Sequence, residues 1–192
     1  MPNFGQKEKE PLLSQDMQDI INRSIDEKSD ANVDDIFRYK YKIMKMLTSN
    51  QDILHTLHKD EFIQEDEELN GDLYKDVCIF DYLKLPDLKS DVRNFICFEV
   101  NQTGGYDSRI NTRIIFRTVS HQDDCKTDWS ISRQDLLAAI IKCDFDWTNA
   151  LGMHLEKDGD TGGIADGGYY YREITYTVSS PNNILNKNRY RY

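Results

Sequence analysis

At 192 residues, 39% hydrophobic and 30% charged, the chain is long enough for one hydrophobic core and too short for two generous ones. No apolar run approaches the roughly 20 residues that a spanning helix requires. The charged opening of residues 1–11 lacks the apolar stretch of a secretory signal, so neither a membrane segment nor an exported precursor is expected. The net charge of −10 excludes the overall basic footprint of a protein that grips nucleic acid.

That charge is uneven. Residues 1–76 carry 18 acidic and 10 basic side chains, whereas residues 77–192 carry 16 and 14. The four cysteines (Cys78, Cys97, Cys125, Cys143) form no C-x-x-C pair and are expected to be reduced, mostly buried thiols.

Residues 1–33 are polar, with a trace of helical spacing in Leu13, Met17, Ile20, Ile21 and Ile25. They read as an N-terminal arm, flexible or docking. From Asp34 a helix is predicted, because Ile36, Tyr39, Ile43, Met46 and Leu47 fall at helical intervals and Asp34 and Asp35 suit a helix start. "TSNQDILHTLH" predicts a turn and a short second helix capped by Ser49 or Asn50, followed by an acidic connector.

Strands come next. "DVCIFDYLKL" is a short apolar run ended by Pro86, and "RNFICFEV" is a dense strand leading to a Gly104-Gly105 turn. "RINTRIIFRTVS" pairs back as the second arm of a hairpin. Alternation places Ile110, Thr112, Ile114, Phe116 and Thr118 on one face, with Arg109, Asn111, Arg113, Ile115, Arg117 and Val119 on the other. A helix follows Ser132, with Asp135 three places on and a stripe of Leu136, Leu137, Ile140 and Ile141. "NALGMHLEK" suggests a strand, "DGDTGGIADGG" a flexible loop and "YYYREITYTVSS" a final strand. The expectation is an α+β fold: an antiparallel sheet with two main helices packed on one face and an extended N-terminal arm. Its domain spans residues 34–178, with a C-terminal tail at 179–192.

The cluster "VSHQDDCKTDWS" at 119–130 concentrates residues able to hold a metal or activate a thiol. Yet His121 and Cys125 have no further ligand pair at a metal-site spacing, and no Gly-rich elbow accompanies them. The expectation is a structural loop in which His121 and Asp128 satisfy backbone groups and Trp129 plugs the core edge. Asp158, Asp160 and Asp166 miss the calcium-loop template, since its fifth position is Gly162 and its twelfth Tyr169. No catalytic residue, metal or cofactor is therefore expected. The face of Arg109, Arg113 and Arg117, with the Tyr- and Arg-rich "YYYRE" that includes Tyr171 and Arg172, suits protein contact. The Gly-containing stretches with Gly104, Gly105, Tyr106 and Asp107, and with Gly162 and Gly163, are candidate partner-contact loops, mobile until assembled.

Four motifs occur together: Ile79-Phe80-x-Tyr82 leading to Pro86-Asp87; the Ile96 to Val100 strand; His121-Gln122-Asp123 with Lys126-Thr127-Asp128 and an Arg133-x-Asp135 helix start; and a final Tyr171-Arg172 strand. In these, over about residues 36–178, the chain resembles small neck proteins of tailed bacteriophages, of the tail-terminator or tail-completion (tail-to-head joining) family. The resemblance implies a virion protein, made in the host cytoplasm, that forms a hexameric ring. Such a ring ends the tail tube and joins it to the head connector or completion protein, with DNA passing through its lumen without specific binding. An acidic surface suits such a lumen. Residues 1–33 and 157–168 depart from the family's pattern. The alternatives are a head-completion protein docking on the portal, or a small hydrolase dependent on a metal or on Cys125.

Overall fold

The computed structural model describes residues 35–57, 68–84, 93–103, 109–146, 151 and 154–181, together with Gln18. The expected N-terminal arm, apart from Gln18, and the hairpin tip with Gly104, Gly105, Tyr106 and Asp107 lie outside the described residues. Among the described elements, helices α1 (Asp35–Ser49) and α2 (Gln51–Leu57) come first, followed by a 3-10 turn at Gly71–Leu73 and the short strand β1 (Ile79–Phe80). Then come β2 (Asn94–Thr103), β3 (Arg109–His121), α3 (Arg133–Phe145), β4 (Glu156–Ala165) and β5 (Tyr169–Pro181). The fold is α+β, one sheet in the order β1-β2-β3-β5-β4.

The sheet is mixed, not purely antiparallel. β1 runs parallel to β2, with Ile79 opposite Ile96 and Phe80 opposite Cys97, while the other three ladders are antiparallel. A parallel neighbour needs a connection that returns the chain to the same end, and residues 81–93 supply it. β3 is the central element, because all thirteen of its residues pair with β5 and ten residues of β2 pair with its other edge.

Alternation along β2, β3 and β5 builds the core. Ile96, Phe98, Val100, Ile114, Phe116, Ile174, Tyr176 and Val178 share the face beneath the helices, and all are buried. α1 contributes Tyr39, Ile43, Met44 and Leu47, and α2 contributes Ile53, Leu54 and Leu57. Asn50 caps α2, its side-chain oxygen accepting the N–H groups of Asp52 (3.0 Å) and Ile53 (3.3 Å). α3 buries Gln134, Leu137, Ala138, Ile141 and Phe145. Leu136 and Ile140, expected in its stripe, are only half-buried. The buried set follows the i, i+3, i+4, i+7 pattern from Gln134, so the helix is rotated relative to the most apolar positions. Ser132 precedes α3, but its hydroxyl donates to the Asp135 carboxylate and makes no side-chain cap bond.

Two further expectations are corrected. Residues 158–168 are not a loop, since most of them form the edge strand β4, and only 166–168 turn into β5. An edge strand tolerates glycine because it needs few apolar side chains, and β4 has mostly exposed residues. Of the strand expected at 149–157, Glu156 and Lys157 open β4, Leu151 and Leu155 join the core, and 149, 150, 152 and 153 lie outside the described residues. Among the cysteines, Cys78 and Cys97 are buried, Cys125 is half-buried and Cys143 is exposed.

At the centre, the Phe116 ring lies 4.8 Å from that of Phe145, 6.0 Å edge-on to Tyr176 and 6.1 Å from Phe98. Phe116→Ala removes the one side chain touching all three. It should lower stability by about 3–5 kcal/mol, read as a shift in the denaturant midpoint with an unchanged slope.

Candidate functional site

The 121–132 segment connects β3 to α3 and is braced by one buried arginine. Arg133 is 9% exposed and stands at the first position of α3, where a cation opposes the helix dipole. The packing explains it. Its Nε donates to the Asp124 carbonyl (2.7 Å), one terminal nitrogen to the Thr56 carbonyl (2.9 Å), and the other to the Asp124 carboxylate (3.1 Å) and the Lys126 carbonyl (3.4 Å). Asn94 completes the hub, donating to Asp124 (2.5 Å) and to the Leu57 carbonyl (3.2 Å). The end of α2, the start of β2 and the loop are thereby tied to α3.

The other loop residues are used locally. His121 Nδ1 accepts the Asp123 N–H (3.3 Å), and its ring meets Tyr169 edge-on at 4.8 Å. Cys125 Sγ donates to the Gln122 carbonyl (3.3 Å). Residues 126–132 close into a small hairpin. Lys126 bridges Ser132, the Thr127 hydroxyl donates to the Ile131 carbonyl (2.6 Å), and Ser130 takes a positive φ of 59°. Trp129 stands at its tip and does not plug the core edge, being 71% exposed. Beside it lies a groove of about 410 Å³ lined by His55, Thr56, Asp128, Trp129, Arg133 and Leu136, among others.

The sheet face opposite the helices is divided. At one end Phe80, Phe95, Cys97, Val119 and Tyr169 form a second apolar cluster, with Leu83, Ala165 and Tyr171 against it and the Lys84 ammonium 4.0 Å over the Phe80 ring. Burial pushes the Cys97 thiol pKa up. Beyond this cluster the face turns polar. Arg117 donates twice to Glu173 (3.0 and 2.5 Å) and sits 5.3 Å over the Tyr171 ring. Arg113 is exposed, between Asn101 and Thr177 on the neighbouring strands. Arg113, Arg117 and Tyr171 thus share a face by register, whereas the side chain of Arg109 lies outside the described residues. Arg172, next to Tyr171, points to the other side.

There Arg172 joins a four-membered ionic cluster that holds the edge strand to α3. Its Nε donates to Asp160 (2.5 Å) and a terminal nitrogen to Asp135 (3.1 Å), while Lys142 reaches Asp160 at 3.0 Å. The hydrogen bond from Arg172, with help from Lys142, holds the Asp160 carboxyl down at about 2. Burial and the bond to Asp146 (2.5 Å) push the Tyr176 phenol well up. Gly162 and Gly163 lie within β4. A Cβ on Gly163 would fall 2.7–2.9 Å from the Tyr171 ring, so glycine makes room for that aromatic. Asp158 accepts from the Thr177 hydroxyl.

The motifs singled out in the sequence therefore meet. The 121–128 loop meets Arg133, and Asp135 meets Arg172. Arg133 itself carried one readable signal, a cation where a helix N-terminus disfavours it, but its partner Thr56, and Asn94, which shares Asp124 with it, lie far away in sequence. A family profile, YomW, matches residues 42–178, most of the folded part. The chain belongs to the YomW family. This family is phage-associated, which suggests a phage-related protein. No curated protein matches it.

Two outcomes test the polar clamps. Arg133→Met strands the Asp124 carboxylate and several carbonyls, and should cost about 3–5 kcal/mol, measured by chemical denaturation. Asp160 has a folded pKa below its unfolded value, so its contribution is present above pH 4 and lost as pH falls towards about 2. The difference in melting temperature between wild type and Asp160→Asn should accordingly be full at pH 5–7 and shrink on acidification. A difference independent of pH would exclude this role.

Proposed function

We propose that this chain is a structural virion protein of the phage neck, forming a hexameric ring that ends the tail tube and joins it to the head connector. The observation that carries the proposal is the order of elements in a phage-associated chain: helices α1 and α2, strands β1 to β3, helix α3 and strands β4 and β5, comparable to the helix, antiparallel sheet, second helix and last strand of the tail-terminator proteins it resembles. Two features support it. The far half of the uncovered sheet face presents Glu99, Asn101, Arg113 and the Arg117–Glu173 pair around a buried Ile115, a composition suited to contact between subunits. The chain's net charge of −10 suits a ring through which DNA slides without being retained.

The protein is proposed to act by assembly and not by catalysis. His121 and Cys125 are occupied with loop hydrogen bonds, which supports the structural reading over a thiol hydrolase. Head connector and tail tube proteins are the proposed partners, and the virion neck is the proposed location.

The native mass of the purified chain should be that of a closed ring at micromolar concentration. Arg113→Glu should raise the concentration of half-assembly by about three- to tenfold with the subunit still folded. Arg117 is unsuitable for the same reversal, because a glutamate there would face Glu173. A phage lacking the chain should yield filled heads and separate tails. Complete, infectious particles without it would exclude the neck assignment.

A further inference from the structure

Two exposed aromatic patches of opposite charge lie on different elements. On α1, Phe37 (42% exposed), Tyr41 (39% exposed) and Lys45 recur every four residues, so they form one outward stripe. The helix holds Arg38, Lys40, Lys42 and Lys45 against a single acid, Asp35, which makes it a basic block in an acidic chain. The other patch is the hairpin tip with Trp129, flanked by the exposed Asp128 and Ile131. Its loop, residues 122–132, holds Asp123, Asp124 and Asp128 against one base, Lys126.

We infer that these patches are the two sides of one subunit contact: Trp129 of one copy seats on the Phe37–Tyr41 stripe of the next, with Asp128 meeting Lys45. Three observations lead there. Trp129 is held out on a hairpin braced by Arg133 and by the Lys126–Ser132 bridge, so little ordering remains to oppose binding. A rigid, exposed tryptophan is the side chain most often found to dominate protein contacts, and a lysine-bearing aromatic stripe offers it both stacking and a cation. Lys45 on one patch and Asp128 on the other are opposite in charge, so the two patches are complementary. In the ring each patch of a subunit engages a different neighbour, which makes the contact heterologous, the type that generates rings. The inference rests on the ring reading above and names the joint that closes it.

The test uses the full-length chain, with folding checked by melting temperature and assembly followed by native mass across a dilution series. Trp129→Ala and Phe37→Ser/Tyr41→Ser should each raise the half-assembly concentration by at least about tenfold. Asp128→Lys and Lys45→Glu should each weaken assembly, and the two together should restore it. A mixture of the Trp129 and Phe37/Tyr41 variants should give one-to-one dimers that do not close, since each dimer keeps one intact joint. Rings that form as in wild type despite Trp129→Ala overturn the contact and leave the ring reading standing. A wild-type assembly that depends on Trp129 but never closes supports the contact and removes the ring. A wild type monomeric throughout overturns both, and a charge swap weaker than either single change overturns the pairing.

Discussion

Burial of the Phe116 ring between Phe98, Tyr176 and Phe145 is the contact on which the remaining architecture depends. Phe116 lies at the middle of β3, the strand that pairs along its whole length with β5 and through ten positions with β2. Fixing that ring under α3 decides which face of three strands is dry. A slip of one residue would turn the entire set outward. Everything on the opposite face follows from the same choice of side: the second apolar cluster at one end and the Arg117–Glu173 pair beyond it.

The described helices α1 to α3 cover one face of the sheet, the second apolar cluster closes one end of the other, and the edge strand and the β3–α3 loop are held by polar means. β4 has few buried side chains, yet it is held by Asp160 between Lys142 and Arg172, and by Lys157 on Asp146 at 3.2 Å. The β3–α3 loop is held by Arg133. In both places a charge is kept partly dry and fully paired, an arrangement that specifies geometry more than it adds stability. On this frame Phe37, Tyr41 and Trp129 are exposed and not folded away. That property suits a component working by fitting against copies of itself and its neighbours.

Some of this was legible in the residues and some was not. The 3.6 spacing of α1 and the alternation of β2, β3 and β5 were plain, because long elements with one buried face write their period into the chain. β4 was not, because an edge strand carrying Gly159, Gly162 and Gly163 and tied by ion pairs has no apolar period to write. The rotation of α3, which buries Gln134 and leaves Leu136 and Ile140 half-buried, was equally hidden, since the helix is apolar over much of its circumference. Trp129 misled for a related reason: its size suggests burial, whereas the hydrogen bonds of its hairpin direct it outward.

By itself, then, the sequence determined the class of fold, the order of the elements other than β4, and the choice of core face, all local periodicities needing only neighbouring residues. The tertiary structure alone decided that β1 lies parallel beside β2 and that Arg172 turns from Tyr171 towards Asp135 and Asp160. It alone decided that Arg133 gathers Thr56 and Asp124, with Asn94 on the same carboxylate. Each of these joins groups many residues apart, and such pairings depend on how the layers stack and not on any pattern along the chain.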